Sequence, residues 1–172
     1  YVGGCGFKTL CGKLRTMLKD LPRGELDYDI GTDIRMNAVE TKPRYFTEEM
    51  DITQGKLSMG WRCATDDVPA MILANLLFGG TSNAKLFMNV REKMSLCYDI
   101  GSGYHGSKGI LTVAAGMDFA KTQVVRDQVM TQLEAIRAGQ ITQEELTSAK
   151  EGLCNSLRGI HDSPGGIENY YS

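Results

Sequence analysis

LCYDIGSGYHGSKGILTVAAGMD, residues 96–118, is the stretch on which the fold turns. It holds two strand-like runs, 96–104 and 109–118, joined by His105-Gly106-Ser107-Lys108, a set of residues suited to a tight turn. The pair predicts an antiparallel hairpin. Upstream, residues 44–62 alternate, with Met50 and Ile52 and then Leu57, Met59 and Trp61 on one side of the pleat and a break at Gln54-Gly55. That pattern predicts one long bulged strand or two strands.

Between these strand signals lie two helical ones. Asp66 or Asp67 can cap a helix with Pro69 in its first turn, and residues 70–78 are apolar nearly all round, so this helix is expected to be deeply buried. Gly79-Gly80 closes it, and Ser82 can cap a following helix through about Lys93. Downstream, Val125, Val129, Leu133 and Ile136 mark a helix that ends at Gly139. Thr142 and Glu145 make a capping box for a further helix with Leu146, Ala149, Leu153, Leu157 and Ile160 on one stripe. Near the start, Leu10, Leu14, Met17, Leu18 and Leu21 predict a helix over about 9–21, ended by Pro22 and Gly24. Strands grouped with strands and helices with helices indicate α+β, an antiparallel sheet with helices packed on one face.

The 172 residues, 42% hydrophobic, can bury a sizeable core. With 19 basic against 21 acidic residues and no run of either sign, the electrostatic footprint for nucleic acid is missing. No segment is apolar for long enough to predict a membrane span, and no signal-peptide pattern stands at the start. Cys5, Cys11, Cys63, Cys97 and Cys154 are odd in number and form no C-x-x-C pair, which favours a reducing, cytoplasmic setting. Both ends read as cut from a longer protein, since the chain starts at Tyr1 and stops at Ser172 without a capping or tail signal.

The chemistry-bearing residues are sparse. His105 and His161 fall in neither an H-E-x-x-H nor an H-x-x-E-H spacing, so two surface histidines are the better reading than zinc ligands. Gly79-Gly80-Thr81-Ser82 lacks the spacing of a phosphate-binding loop. Cys97 reads as a core thiol, and Asp66-Asp67 and Glu144-Glu145 sit at helix starts, where the macrodipole favours them. Two residues of REKMSLCY, residues 91–98, stand out. Arg91 and Tyr98 either make a surface ion pair and a half-buried ring, or both open into one groove as hydrogen-bond donors to an oxygen gaining charge.

The order Gln54-Gly55-Lys56-Leu57, Pro69-Ala70, Phe78-Gly79-Gly80, Ser82, Leu86-Phe87, Arg91-Glu92-Lys93 and Leu96-Cys97-Tyr98 resembles the second, non-catalytic half-domain of the insulinase-type (pitrilysin family) zinc metallopeptidases. Gly139, Ile141-Thr142, Glu145-Leu146 and Ala149-Lys150 fit the last helices of that family. The resemblance implies a metallopeptidase half-domain of the LuxS/insulinase-like kind. It also implies three segments: 1–24 as the end of a preceding half-domain, 25–43 as a linker, and 44–172 as a truncated inactive C-terminal half. It implies a clamshell around a peptide substrate, with zinc and the inverted H-x-x-E-H motif on the other half-domain or a partner subunit. No cofactor is expected in this chain. Arg91 and Tyr98 would then contact the substrate backbone and the transition state. At Ser95 the chain departs from the family, which commonly has glycine there. The parent is an active peptidase, or a zinc-less homologue that pairs or binds peptide without activity of its own.

Overall fold

The structure, a computed structural model, describes residues 6–25 and 42–171. They fall into two compact units, one within Asp33–Gly152 and the other joining Tyr1–Thr32 to Leu153–Ser172. The larger unit carries a three-stranded antiparallel sheet in the order β1-β3-β2, with β1 at Gly55–Arg62, β2 at Asp99–His105 and β3 at Ile110–Met117. The sequence hairpin is β2 and β3, paired from Asp99 opposite Gly116 to His105 opposite Ile110. Strand β1 pairs with the other edge of β3, from Gly55 opposite Met117 to Arg62 opposite Ile110.

Alternation along β3 defines the two faces. Leu111, Val113, Ala115 and Met117 are buried, and Leu57, Met59 and Trp61 of β1 and Ile100 of β2 lie on the same side in register. Against that face pack Phe78, Leu86 and Val90 from the connection between β1 and β2, and Val125 and Val129 from the helix that follows β3. That helix, α3, Thr122–Arg137, ends in the left-handed Gly139, φ 71°. One side chain in this layer is polar. Gln132, 9% exposed, accepts a hydrogen bond of 2.7 Å from Asn89 Nδ2 and so meets its burial with a partner.

Helix α1 spans Phe7–Leu18 in the smaller unit, close to its expected place. Helix α2, Val68–Asn75, starts where the sequence put it, with Asp67 accepting from the Ala70 N–H. Its expected deep burial is corrected by the structure. None of its residues is buried and Ile72 is 37% exposed, while burial begins only at Leu77, Phe78 and Gly79. The chain there leaves the α ladder for a π-wound segment, Leu76–Gly80, and the side of α2 that meets the sheet packs on β2. A nearly all-apolar sequence says that almost no side is costly to bury. It does not supply the cover.

The second helix is also π-wound, Leu86–Lys93, and begins later than Ser82, with no side-chain cap. Gly79 is needed where the two segments meet β2. A Cβ there would lie 2.7 Å from Leu86 Cδ1 and 2.9 Å from the Ser102 nitrogen. Ser102 Oγ fastens the same junction by donating to Asn75 Oδ1 at 2.7 Å. Residues 44–54, expected to be strand, carry no regular secondary structure, and Met50 and Ile52 are exposed. The reason is the partner: β3 ends at Met117 opposite Gly55, so residues before Gly55 have nothing to pair with. Of the expected linker over 25–43, residues 26–41 lie outside the described residues. Among the described residues no helix is long and apolar enough to cross a membrane.

The capping box exists as read. Glu145 Oε2 accepts from the Thr142 N–H at 2.8 Å and Thr142 Oγ1 from the Glu145 N–H at 3.1 Å, starting α4, Gln143–Arg158. The final helix, α5, spans Pro164–Tyr171. Glu145 has a second role that no local rule could reveal: Lys85 Nζ, 11% exposed, donates to it at 2.8 Å and ties the start of α4 to the π-helix. Burial pushes the Glu145 carboxyl up, but the bonds from Lys85 and Thr142 outweigh it and hold it below the usual carboxylate range. A depressed folded value gives stability that is present above the unfolded value, near pH 4.3, and lost as pH falls through the folded one. Lys85→Met is expected to cost about 1–2 kcal/mol in urea unfolding at neutral pH, and Glu145→Gln to flatten the acid limb of the stability curve.

Candidate functional site

The connection from the second π-helix into β2 shapes the site. The helix ends at Lys93 and the chain reverses through Ser95, the one residue other than glycine with positive φ among those described, at 51°. The Ser95 N–H donates to the Arg91 carbonyl at 3.0 Å and the Leu96 N–H to the Val90 carbonyl at 3.1 Å. These two bonds resemble a Schellman closure but each reaches one residue further back, as the wider winding demands. Left-handed backbone disfavours an L side chain, which is the physical sense of a glycine at this place in the family that the sequence resembles.

The reversal sends Leu96, Cys97 and Tyr98 back along the end of the helix toward β2. The Tyr98 N–H already joins β3 by donating to the Gly116 carbonyl at 2.8 Å. Arg91 then closes the loop, its Nε donating to the Tyr98 carbonyl at 2.9 Å. Its guanidinium lies 4.5 Å from the centre of the Phe87 ring, and Nη1 is 3.5 Å from Glu92 Oε1. Of its five donors, Nε is engaged by that hydrogen bond.

Arg91 and Tyr98 line one open groove of about 440 Å³, together with Glu92, Ser95, Leu96, Cys97, Asp118 and Lys121. Tyr98 is 51% exposed, not packed away, and its hydroxyl donates to Asp118 Oδ1. That hydrogen bond pushes the phenol above its ordinary range, so it stays a donor at neutral pH. The two sequence readings are thus mixed in the structure: both side chains reach one groove, and both also have partners within the chain. Cys97 lines the groove as well as the core edge, and burial and then the charge of Asp99 push its thiol up, with Arg91 and Lys121 pulling the other way.

Asp118 and Lys121 were not singled out in the sequence. The signal was in the hairpin: with Asp99 opposite Gly116, the next residues outward bring Tyr98 beside the end of β3 and hence near Asp118. Neither histidine lines the groove. Among the described residues no group of three His, Cys, Asp or Glu side chains is placed to hold a metal ion.

The sequence of residues 8–153 matches the family described as the peptidase M16 inactive domain. The chain belongs to that family. One relative, "Probable inactive metalloprotease YmfF" of Bacillus subtilis (strain 168), is 33% identical over 135 residues, 76% of this chain and 32% of the relative. Another from the same organism, "Uncharacterized zinc protease YmxG", is 29% identical over 126 residues, 67% of this chain and 31% of the relative. The M16 chain therefore spans about a third of the length of these relatives. Among solved structures, a conserved protein from Enterococcus faecalis V583 superposes with a TM-score of 0.74 at 30% identity, over 93% of this chain and 39% of that one. The α+β fold expected from the strand and helix grouping is the fold of this family.

Two outcomes are expected. Ser95→Gly should raise stability by about 0.5–1 kcal/mol in chemical denaturation, whereas Ser95→Val should lower it by about 1 kcal/mol or more. In the folded chain, iodoacetamide should modify the exposed Cys154 well before Cys97 at pH 8, since the Cys97 thiol resists ionisation.

Proposed function

We propose that this chain is the substrate-contacting, non-catalytic half of a zinc-dependent peptidase, completing a clamshell chamber in which a peptide is hydrolysed. The observation that carries the reading is the shared groove, where Arg91 and Tyr98, seven residues apart in sequence, come within reach of one ligand. In this reading residues 1–24 end a preceding half-domain, 25–43 cross between halves, and 44–172 form the inactive half. The catalytic half, on the same parent or a partner subunit, holds the zinc, which supplies Lewis acidity and an activated water.

This chain's part is orientation and charge. Tyr98 donates its hydroxyl to the scissile carbonyl oxygen as that oxygen becomes negative, and Arg91 holds a neighbouring peptide carbonyl with its fixed fork of donors. The Arg91 bond to the Tyr98 carbonyl supports this division of labour, because it fixes the backbone from which the phenol projects. In the same reading the protein works in the cytoplasm, with peptide and the catalytic half as partners and neither nucleic acid nor membrane. A second reading, a zinc-less homologue that pairs or binds peptide without cleaving it, is favoured by the relative whose name calls it inactive.

The full-length parent separates the two. An H-x-x-E-H motif upstream and one zinc per chain by metal analysis support the enzyme. In that active protein Tyr98→Phe is expected to lower kcat roughly a hundredfold or more with little change in folding. Turnover unaffected by that substitution would leave the groove a helix-to-strand junction only.

A further inference from the structure

Asp118 follows β3 and stands at the N-cap position of the 3-10 turn Phe119–Lys121, yet its carboxylate makes no capping bond there. The carboxylate faces the groove instead. Oδ1 accepts the Tyr98 hydroxyl, Oδ2 lies 3.7 Å from Lys121 Nζ, and that ammonium donates to the Ser95 carbonyl at 3.1 Å. A chain of polar contacts thus runs from the left-handed turn to the phenol. Tyrosine has a single O–H and donates to one acceptor at a time.

We propose that Asp118 is a positioning residue for Tyr98, holding the phenol's one donor in the groove, with Lys121 setting how strongly it is held. A carboxylate is a stronger acceptor than a neutral amide carbonyl, while the oxyanion of a tetrahedral intermediate, an alkoxide far more basic than a carboxylate, is a stronger one still. On the function proposed above, a peptide carbonyl in its ground state does not displace Asp118, and the developing oxyanion does. The O–H then turns from Asp118 Oδ1 to the substrate oxygen, no proton changes owner, and Asp118 keeps Lys121 as its counter-charge. The effect is to confine the Tyr98 interaction to the transition state, where alone it raises kcat. The pairing of Asp118 with Tyr98 does not depend on that function, but the switch of acceptor does.

The pairing is tested on this chain by 13C-tyrosine NMR titration, with Tyr98→Phe identifying the Tyr98 signal and circular dichroism confirming the fold across the pH range. Asp118→Asn should move the ionisation of Tyr98 down, because the charged acceptor is gone. Lys121→Met should move it up, because the carboxylate and the tyrosinate both lose a nearby cation, while Arg91 and Glu92, the other charges lining the groove, are unchanged. An unshifted Tyr98 in Asp118→Asn, or shifts of the same sign in both variants, would overturn the proposal. In the full-length active peptidase, Asp118→Asn should lower KM roughly three- to tenfold without raising kcat, since the freed phenol now also meets the ground-state carbonyl. An unchanged KM beside the expected titration shifts would count against Tyr98 as a carbonyl donor and leave the positioning role standing.

Discussion

Strand β3 has partners on both sides, and the rest of the larger unit is arranged by what those pairings leave free. Its even-numbered residues face away from the helices and its odd-numbered ones, Leu111 through Met117, are buried in the core. A one-residue slip would turn that apolar set to the wrong face, so the register is strongly specified. The length of β3 sets the length of β1, and its far end sets the site: the Gly116 carbonyl receives Tyr98, and Asp118, just past the strand, receives the phenol. The groove is an extension of the sheet's own geometry.

The opposite wall comes from the π-helix, and its attachment is as demanding. Gly79 lets the first π-wound segment approach β2 at a distance no side chain would allow, while Leu86 and Val90 are buried beneath the same layer. Those contacts fix the helix axis, and the Ser95 turn fixes where the chain leaves it. Arg91 is positioned by both, with Phe87 below its guanidinium and the Tyr98 carbonyl at its Nε.

What the sequence disclosed was what is decided locally. The hairpin, the Asp67 cap, the Thr142–Glu145 box and the Gly139 stop each depend on residues within a few positions of one another, and each is present. What it did not disclose needs a neighbour distant in the chain. Residues 44–54 alternate like a strand and lack a partner strand, and α2 is apolar on nearly every side yet has no buried residue. The π winding leaves no mark in composition, because it is a shift in which carbonyl each N–H selects. At the site the spacing of Arg91 and Tyr98 was legible, whereas Asp118 and Lys121 became visible only when the strand register brought position 118 beside position 98.

The winding of Leu86–Lys93 places a different kind of demand on the gene. In an α-helix each N–H looks four residues back, and here it looks five, so the segment packs more residues into each turn, on a wider radius, than composition requires. Removing one codon would let the ordinary ladder re-form at a favourable local energy, while rotating Arg91 away from Tyr98 or dragging Leu86 and Val90 out of the core. Point substitutions on its solvent side, at Met88 for instance, leave that geometry intact. Across this stretch natural variation is therefore expected in residue identity and not in residue number, and a change of length is what would mark a member of the family that has abandoned the groove.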